Sequence, residues 1–178
     1  MHKDGHTGAA LLLTAPLSYW LITYAGLPWG ALLLVVASGV ASLPDIDQKT
    51  PFLDHRGFTH TIWFCLAVSI IAGAGAYLVF LQGATLGSSL GIDSVRATSQ
   101  AVPVSLVVFA GALLSLLSHL LADAITVGNG KMAVRPFWPM NYKKLRFGLV
   151  KSDSSLNAVL IAAGGLAQVG MFVAAVSP

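Results

Sequence analysis

The feature that most constrains this chain is where its charges are missing. Residues 5–44 hold no Asp, Glu, Lys or Arg, a run of 40, and further charge-free runs of 36, 26 and 25 cover 57–92, 97–122 and 154–178. A membrane-spanning helix needs roughly 20 mostly apolar residues. The first run is long enough for two spans, with Ala25-Gly26-Leu27-Pro28 as the turn between them, and each of the others holds one. The predicted architecture is an all-α, polytopic membrane bundle of about five helices, at residues 9–25, 28–43, 61–81, 102–124 and 156–176, forming one domain over 1–178.

Composition agrees with this. Charged residues make up 10% of the chain and hydrophobic ones 56%, whereas a soluble domain carries about 25% charged residues. So few charges cannot cover a water-facing surface, which excludes a soluble globular enzyme, a disordered chain and a coiled coil. The single cysteine, Cys65, falls inside the third span and reads as a small buried apolar side chain. Lys3 ahead of an apolar run superficially suits a signal peptide, but Asp4 sits beside it and no small-x-small site ends the run, so the first span is expected to be retained.

Five spans place the N-terminus, residues 44–60 and residues 125–155 on one face. That face carries nine of the ten basic residues, and Arg96 alone lies opposite. Basic residues concentrate in cytoplasmic loops, so the N-terminus is predicted to be cytoplasmic. The net charge of +3 is therefore a topology signal, and no nucleic acid is expected as primary partner. All five histidines and six of the seven acidic residues, every one an aspartate, fall on or near the same face; Asp93 is the exception. Nearly every group able to bind a metal or move a proton thus converges on one end of the bundle. The 82–101 segment opposite, rich in Gly and Ser, reads as a connecting loop.

Four constellations carry the chemistry. His119 and Asp123 are four residues apart at the end of span four, hence on one helix face, where they can clasp an ion or simply hydrogen-bond. Leu43-Pro44-Asp45-Ile46-Asp47 puts two carboxylates on one side of a segment read as extended; so close a pair repels unless a cation or proton intervenes. His55-Arg56-Gly57-Phe58-Thr59-His60 enters span three, with Gly57 or Thr59 as cap and His60 in the first turn. Arg56 offers a fork suited to phosphate or carboxylate, or a simple interfacial anchor. His6 precedes span one. Imidazole with carboxylate suits zinc, manganese or iron, and the lack of a cysteine cluster argues against a closed structural zinc site.

Together, Gly5-His6, Leu43 to Asp47, His55 to His60 and Ser118-His119 through Asp123, with Thr126-x-Gly128 and Phe137-Trp138-Pro139, resemble the YdjM-like membrane-bound metal-dependent hydrolases of bacteria and archaea. That family is thought to be remotely related to zinc-dependent phospholipase C and the P1-type nucleases. The resemblance implies a divalent metal, zinc ahead of manganese or iron, held by Asp45, His60, His119 and Asp123, with a second held by His6 and bridged by Asp123. The residues alone leave open whether Asp45 or Asp47 is the direct ligand; the family likeness favours Asp45. No histidine follows His119, so the downstream ligand set of the soluble enzymes has no counterpart.

The expected function is metal-dependent phosphoester hydrolysis on a lipid or other amphiphile, at the cytoplasmic face of the inner membrane. Asp47 would orient ligands or activate water, His55 would protonate the leaving group and Arg56 would hold phosphate oxygens. The basic loop with Lys131, Arg135, Lys143, Lys144 and Arg146, interleaved with Phe137, Trp138, Tyr142 and Phe147, would gather anionic headgroups or merely mark topology and an aromatic belt. A non-catalytic metal-binding scaffold or sensor is the alternative. A transporter fits less well, because the span centres carry only weakly polar groups such as Ser18, Ser69, Ser105 and Gln168.

Overall fold

The computed structural model describes residues 1–89, 94–127, 133–152 and 154–177. Its long elements are helices α1 (Lys3–Ala25), α2 (Leu27–Val40), α3 (Ile62–Ser89), α4 (Ser94–Ile125) and α5 (Leu156–Val176). All five segments are long and apolar enough to cross a membrane, the second being α2 continued by a 3-10 helix to Lys49. The only strands among the described residues are the two-residue pair β1 (Thr126–Val127) and β2 (Val150–Lys151), which run parallel.

The surface is apolar where a soluble protein's would be polar. Val35, Ile71, Leu78, Val79, Leu166 and Val169 are more than half exposed along the helices, which suits a lipid environment, where hydrophobicity does not drive helices together. Packing is instead close and uses small residues. α1 lies against α5 so tightly that a Cβ on Gly8 would meet the backbone of Leu160 and Ile161, and one on Gly164 would come within 2.6 Å of the Gly8 carbonyl. In the small-residue stretches Gly73-Ala74-Gly75-Ala76 and Gly164-Gly165, Gly73 and Gly164 face neighbouring helices, while Gly75 and Gly165 face open space. The α1–α2 turn forms as expected: Gly26 takes φ 98°, Pro28 opens the next helix, and the Gly26 N–H closes α1 on the carbonyls of Leu21 and Ile22.

Two polar rungs fix α4 on α2. Ser115 Oγ donates to the Ala37 carbonyl at 2.6 Å, and one turn later His119 Nδ1 lies 2.8 Å from the Ala41 carbonyl. Ala37 lies in the last turn of α2 and Ala41 is its C-cap, positions whose carbonyls have no partner within the helix.

Three local expectations need correction. Residues 82–89 and 94–101 are helical, so most of the polar 82–101 segment extends α3 and α4 rather than forming a loop. Asp93, Gly128, Lys131 and Asp153 lie outside the described residues. The second correction concerns Leu43–Lys49, which is a 3-10 helix and not an extended strand; at three residues per turn, positions two apart point in different directions. Asp45 and Asp47 consequently diverge. Finally, His60 closes a short 3-10 helix (Phe58–His60) ahead of α3 instead of lying in its first turn. The α3 cap is Thr61, whose Oγ1 accepts from Phe64 N–H, and the Ile62 N–H donates to the Pro136 carbonyl.

Candidate metal centre

Five donors meet at one end of the bundle. α1 brings His6, the first 3-10 helix Asp45, the second His60, and the last turns of α4 both His119 and Asp123. One ligand atom from each of His6, Asp45, His119 and Asp123 lies within 4.8 Å of the others. His60 Nε2 is 3.3 Å from His119 Nε2, 3.3 Å from Asp123 Oδ2 and 3.8 Å from Asp45 Oδ1. His6 Nε2 lies 3.4 Å from Asp123 Oδ1 and 3.8 Å from Asp45 Oδ2, so it joins the same group. Its ring stacks on that of His119, centroids 3.7 Å apart.

The protons on the imidazoles follow from their outer partners. A carbonyl can only accept, so His119 Nδ1 carries the hydrogen it gives to Ala41, and its Nε2 lone pair faces the cluster. His60 Nδ1 is 3.1 Å from Asp47 Oδ2 and 3.0 Å from Thr59 Oγ1; Thr59 spends its own proton on Asp47 Oδ2 at 2.9 Å. Nδ1 of His60 therefore donates outward, and its Nε2 also faces inward. Two imidazole Nε2 atoms 3.3 Å apart repel unless a cation lies among the donors. Asp123 Oδ2 and both ring nitrogens of His6 are buried with no hydrogen-bond partner, an arrangement that costs free energy unless a ligand satisfies it. Burial opposes a charge on His60, but the Asp123 and Asp47 carboxylates beside it outweigh that and raise its pKa above the ordinary histidine value. Without an ion, a proton on His60 is the natural substitute. The donor set, three imidazoles and two carboxylates, could hold a divalent metal ion.

Around the donors stands a ring of supports. Asp47 is fully buried and accepts from the Arg56 backbone N–H at 2.8 Å, besides Thr59 and His60; its other oxygen is 3.1 Å from His55 Nδ1. Arg56 Nη2 lies 2.9 Å from Asp123 Oδ1, an oxygen also 3.3 Å from the Met1 amine. Arg56 sits at φ 58°, a left-handed conformation that side chains disfavour. The surroundings hold it there, because its N–H and its guanidinium reach two different carboxylates. Gln48 Nε2 donates to Asp45 Oδ1 at 2.6 Å.

All five metal candidates from the sequence thus gather at one point. Asp47, His55 and Arg56 form the layer behind it. Thr59, Gln48 and the Ala41 carbonyl were missed as parts of the site. Thr59 stood in the motif but was read as a cap, and a backbone carbonyl leaves no trace in a sequence.

A family model described as YdjM inner membrane protein matches residues 1–177. No curated protein and no solved structure matches the chain.

Proposed function

Because the chain belongs to the YdjM inner membrane protein family, we propose that it is a membrane-embedded, metal-dependent hydrolase acting on a phosphoester, with its centre at the cytoplasmic end of the bundle. The observation that carries this reading is the pair of His60 and His119 Nε2 atoms, 3.3 Å apart and 3.3 and 3.9 Å from the buried Asp123 Oδ2. A catalytic centre needs donors that are fixed before the ion arrives. Here each imidazole is held from behind, His119 by Ala41 and His60 by Asp47. The chemistry a divalent ion supplies when bound is Lewis acidity toward phosphoryl oxygen and water.

The chain's own residues divide the remaining work. Asp47 fixes the His60 tautomer and raises its basicity. His55 and Arg56 serve Asp47 and Asp123 in this geometry, so their part is to position those carboxylates rather than to grip substrate. Asp45 is the partly exposed donor, at 20% against 0–1% for the other four, which suits a ligand that shares its ion with water or substrate. The bias of basic residues toward this end supports a cytoplasmic site, and its level at the helix ends suits an amphiphile whose phosphate reaches the interface.

The test is to purify the protein in detergent, measure bound metal, and assay a panel of phosphoesters including phospholipids. Zinc should bind near stoichiometrically, and His60→Ala and Asp123→Ala should each lose it. Negligible metal in the wild type, or equal metal in both variants, refutes the centre. Metal bound without turnover of any phosphoester would favour the scaffold or sensor instead.

A further inference from the structure

Two cavities border the site residues, and they differ in what lies behind their walls. The first, about 560 Å³, is lined by Lys3, Ser42, Asp45, Ile46 and Lys49 among others. The second, about 580 Å³, is lined by Leu53, His55, Arg56, Phe58, Arg135 and Trp138 among others. By aromatic content and arginines the second is the more inviting place for a lipid headgroup. Its inner wall, however, is shut. The Arg56 side chain is 4% exposed and committed to Asp123 at 2.9 Å, and behind His55 stands Asp47, with no exposed side-chain surface and both oxygens occupied.

The first cavity is different. Its wall includes a donor of the centre itself: Asp45 keeps 20% of its side chain exposed while its oxygens stand 3.7 to 3.8 Å from the Nε2 atoms of His6, His60 and His119. Of the five donors, Asp45 alone lines either of these two cavities. The cations at this mouth, Lys3 and Lys49, are contributed by the start of α1 and the end of the first 3-10 helix. Two ammonium groups beside a carboxylate that an ion would neutralise leave a net positive mouth, which attracts an anion. Leu43 and Ile46, the latter 45% exposed, add an apolar side to the same cavity.

We propose that the cavity beside Asp45 is the entrance to the centre and the seat of the substrate's phosphate group, with Lys3 and Lys49 as positioning residues, and that the larger arginine-lined cavity does not open onto the centre. This rests on the hydrolase reading above. The phosphate chemistry is common to a lipid headgroup and a free phosphate ester, and the two arms of the binding test separate them.

Access is tested without any turnover. The native Cys65 is fully buried, so Ser42→Cys and Leu53→Cys can each be labelled singly with a bulky maleimide in detergent. Zinc content is measured before labelling; a wild type without zinc defeats the metal reading itself, and the entrance with it, before any access is probed. After labelling, zinc release to an excess of chelator is followed. The adduct at Ser42→Cys should slow release on the order of tenfold, and the adduct at Leu53→Cys should leave the rate unchanged. Slowing at Leu53→Cys alone, or equally at both or at neither, overturns the entrance.

In the binding arm, inorganic phosphate and a short-chain phosphatidic acid are titrated into the zinc-loaded protein. The double variant Lys3→Ala/Lys49→Ala should bind the accepted probe roughly tenfold more weakly, and Arg135→Ala as tightly as wild type. The opposite ranking, or no effect of the lysine pair, overturns the seat. Binding of the lipid alone identifies a headgroup as the source, and equal binding of both probes identifies a free phosphate group.

Discussion

Replacing Asp47 with asparagine isolates one charge from one shape. The Oδ2 atom of Asp47 serves Arg56 N–H, Thr59 Oγ1 and His60 Nδ1, at 2.8, 2.9 and 3.1 Å, and Oδ1 faces only His55 Nδ1. An asparagine carbonyl can keep the three donors while its amide turns to His55, which accommodates it by changing tautomer. The geometry survives and the negative charge is lost. A hydrogen bond to a charged group contributes about 1.5–3 kcal/mol against about 0.5–1.5 for a neutral one. The His60 Nδ1 bond should therefore weaken by about 1–1.5 kcal/mol, which is roughly tenfold in zinc affinity and near the low end of the ~10–100-fold range for such outer partners. Alanine would be a poor probe. It strands three buried donors at about 1–3 kcal/mol each, comparable to the whole stability of a domain. The assay is competition of the purified protein against a zinc chelator, with circular dichroism confirming unchanged helix content. If Asp47→Asn binds zinc within about twofold of wild type while His60→Ala loses it, the claim that Asp47 tunes His60 is wrong.

Three further outcomes are expected. His60 holds a raised pKa without metal, so its contribution to the stability of the metal-free protein is full below the unfolded histidine value and lost as pH rises through the raised folded value; zinc must displace that proton, and the stabilisation zinc confers in thermal unfolding should grow between about pH 5 and 8. A zinc shift that shrinks over that window contradicts the assignment. Arg56→Gln leaves Asp123 without its guanidinium and should destabilise the metal-free protein by up to about 3–5 kcal/mol, with much of the loss recovered on adding zinc; unfolding measured with and without the ion checks this. Gly8→Ala should cost at least about 1–3 kcal/mol because its Cβ has nowhere to go between α1 and α5, whereas Gly165→Ala, in open space, should be neutral or slightly stabilising, as read by unfolding in detergent.

The membrane helices were legible because charge is so costly in lipid that its absence marks each span almost by itself. The helix ends were less so. Residues 82–101 are polar and Gly/Ser-rich yet mostly helical, since nothing in a polar composition forbids a helix from projecting beyond the hydrocarbon. The donors too were legible, because imidazoles and carboxylates are scarce here and cluster in position. What the sequence could not assign was the division of labour between Asp45 and Asp47, which the 3-10 geometry of Leu43–Lys49 separates by turning Asp45 toward the inward Nε2 atoms and Asp47 toward the outer Nδ1 of His60. Nor could it show that Arg56 is occupied with Asp123; an arginine motif looks the same whether its fork faces substrate or a carboxylate of its own fold.

The two rungs from α4 to α2 act as a vernier. Ser115 and His119 are one turn apart, and so are the Ala37 and Ala41 carbonyls they reach. Sliding α4 by a single residue, about 1.5 Å along its axis, would break both bonds together and carry Asp123 out of line with the donors from the other elements. Lipid-facing apolar surface is indifferent to such a slip, so these two hydrogen bonds, together with the close packing of Gly111 on α2 and of Gly73 on α4, set the register of the centre. An α2 that continued unbroken past Ala41 would take that carbonyl into its own helix and compete with His119 for it, so the place where the helix stops is itself part of the ligand geometry.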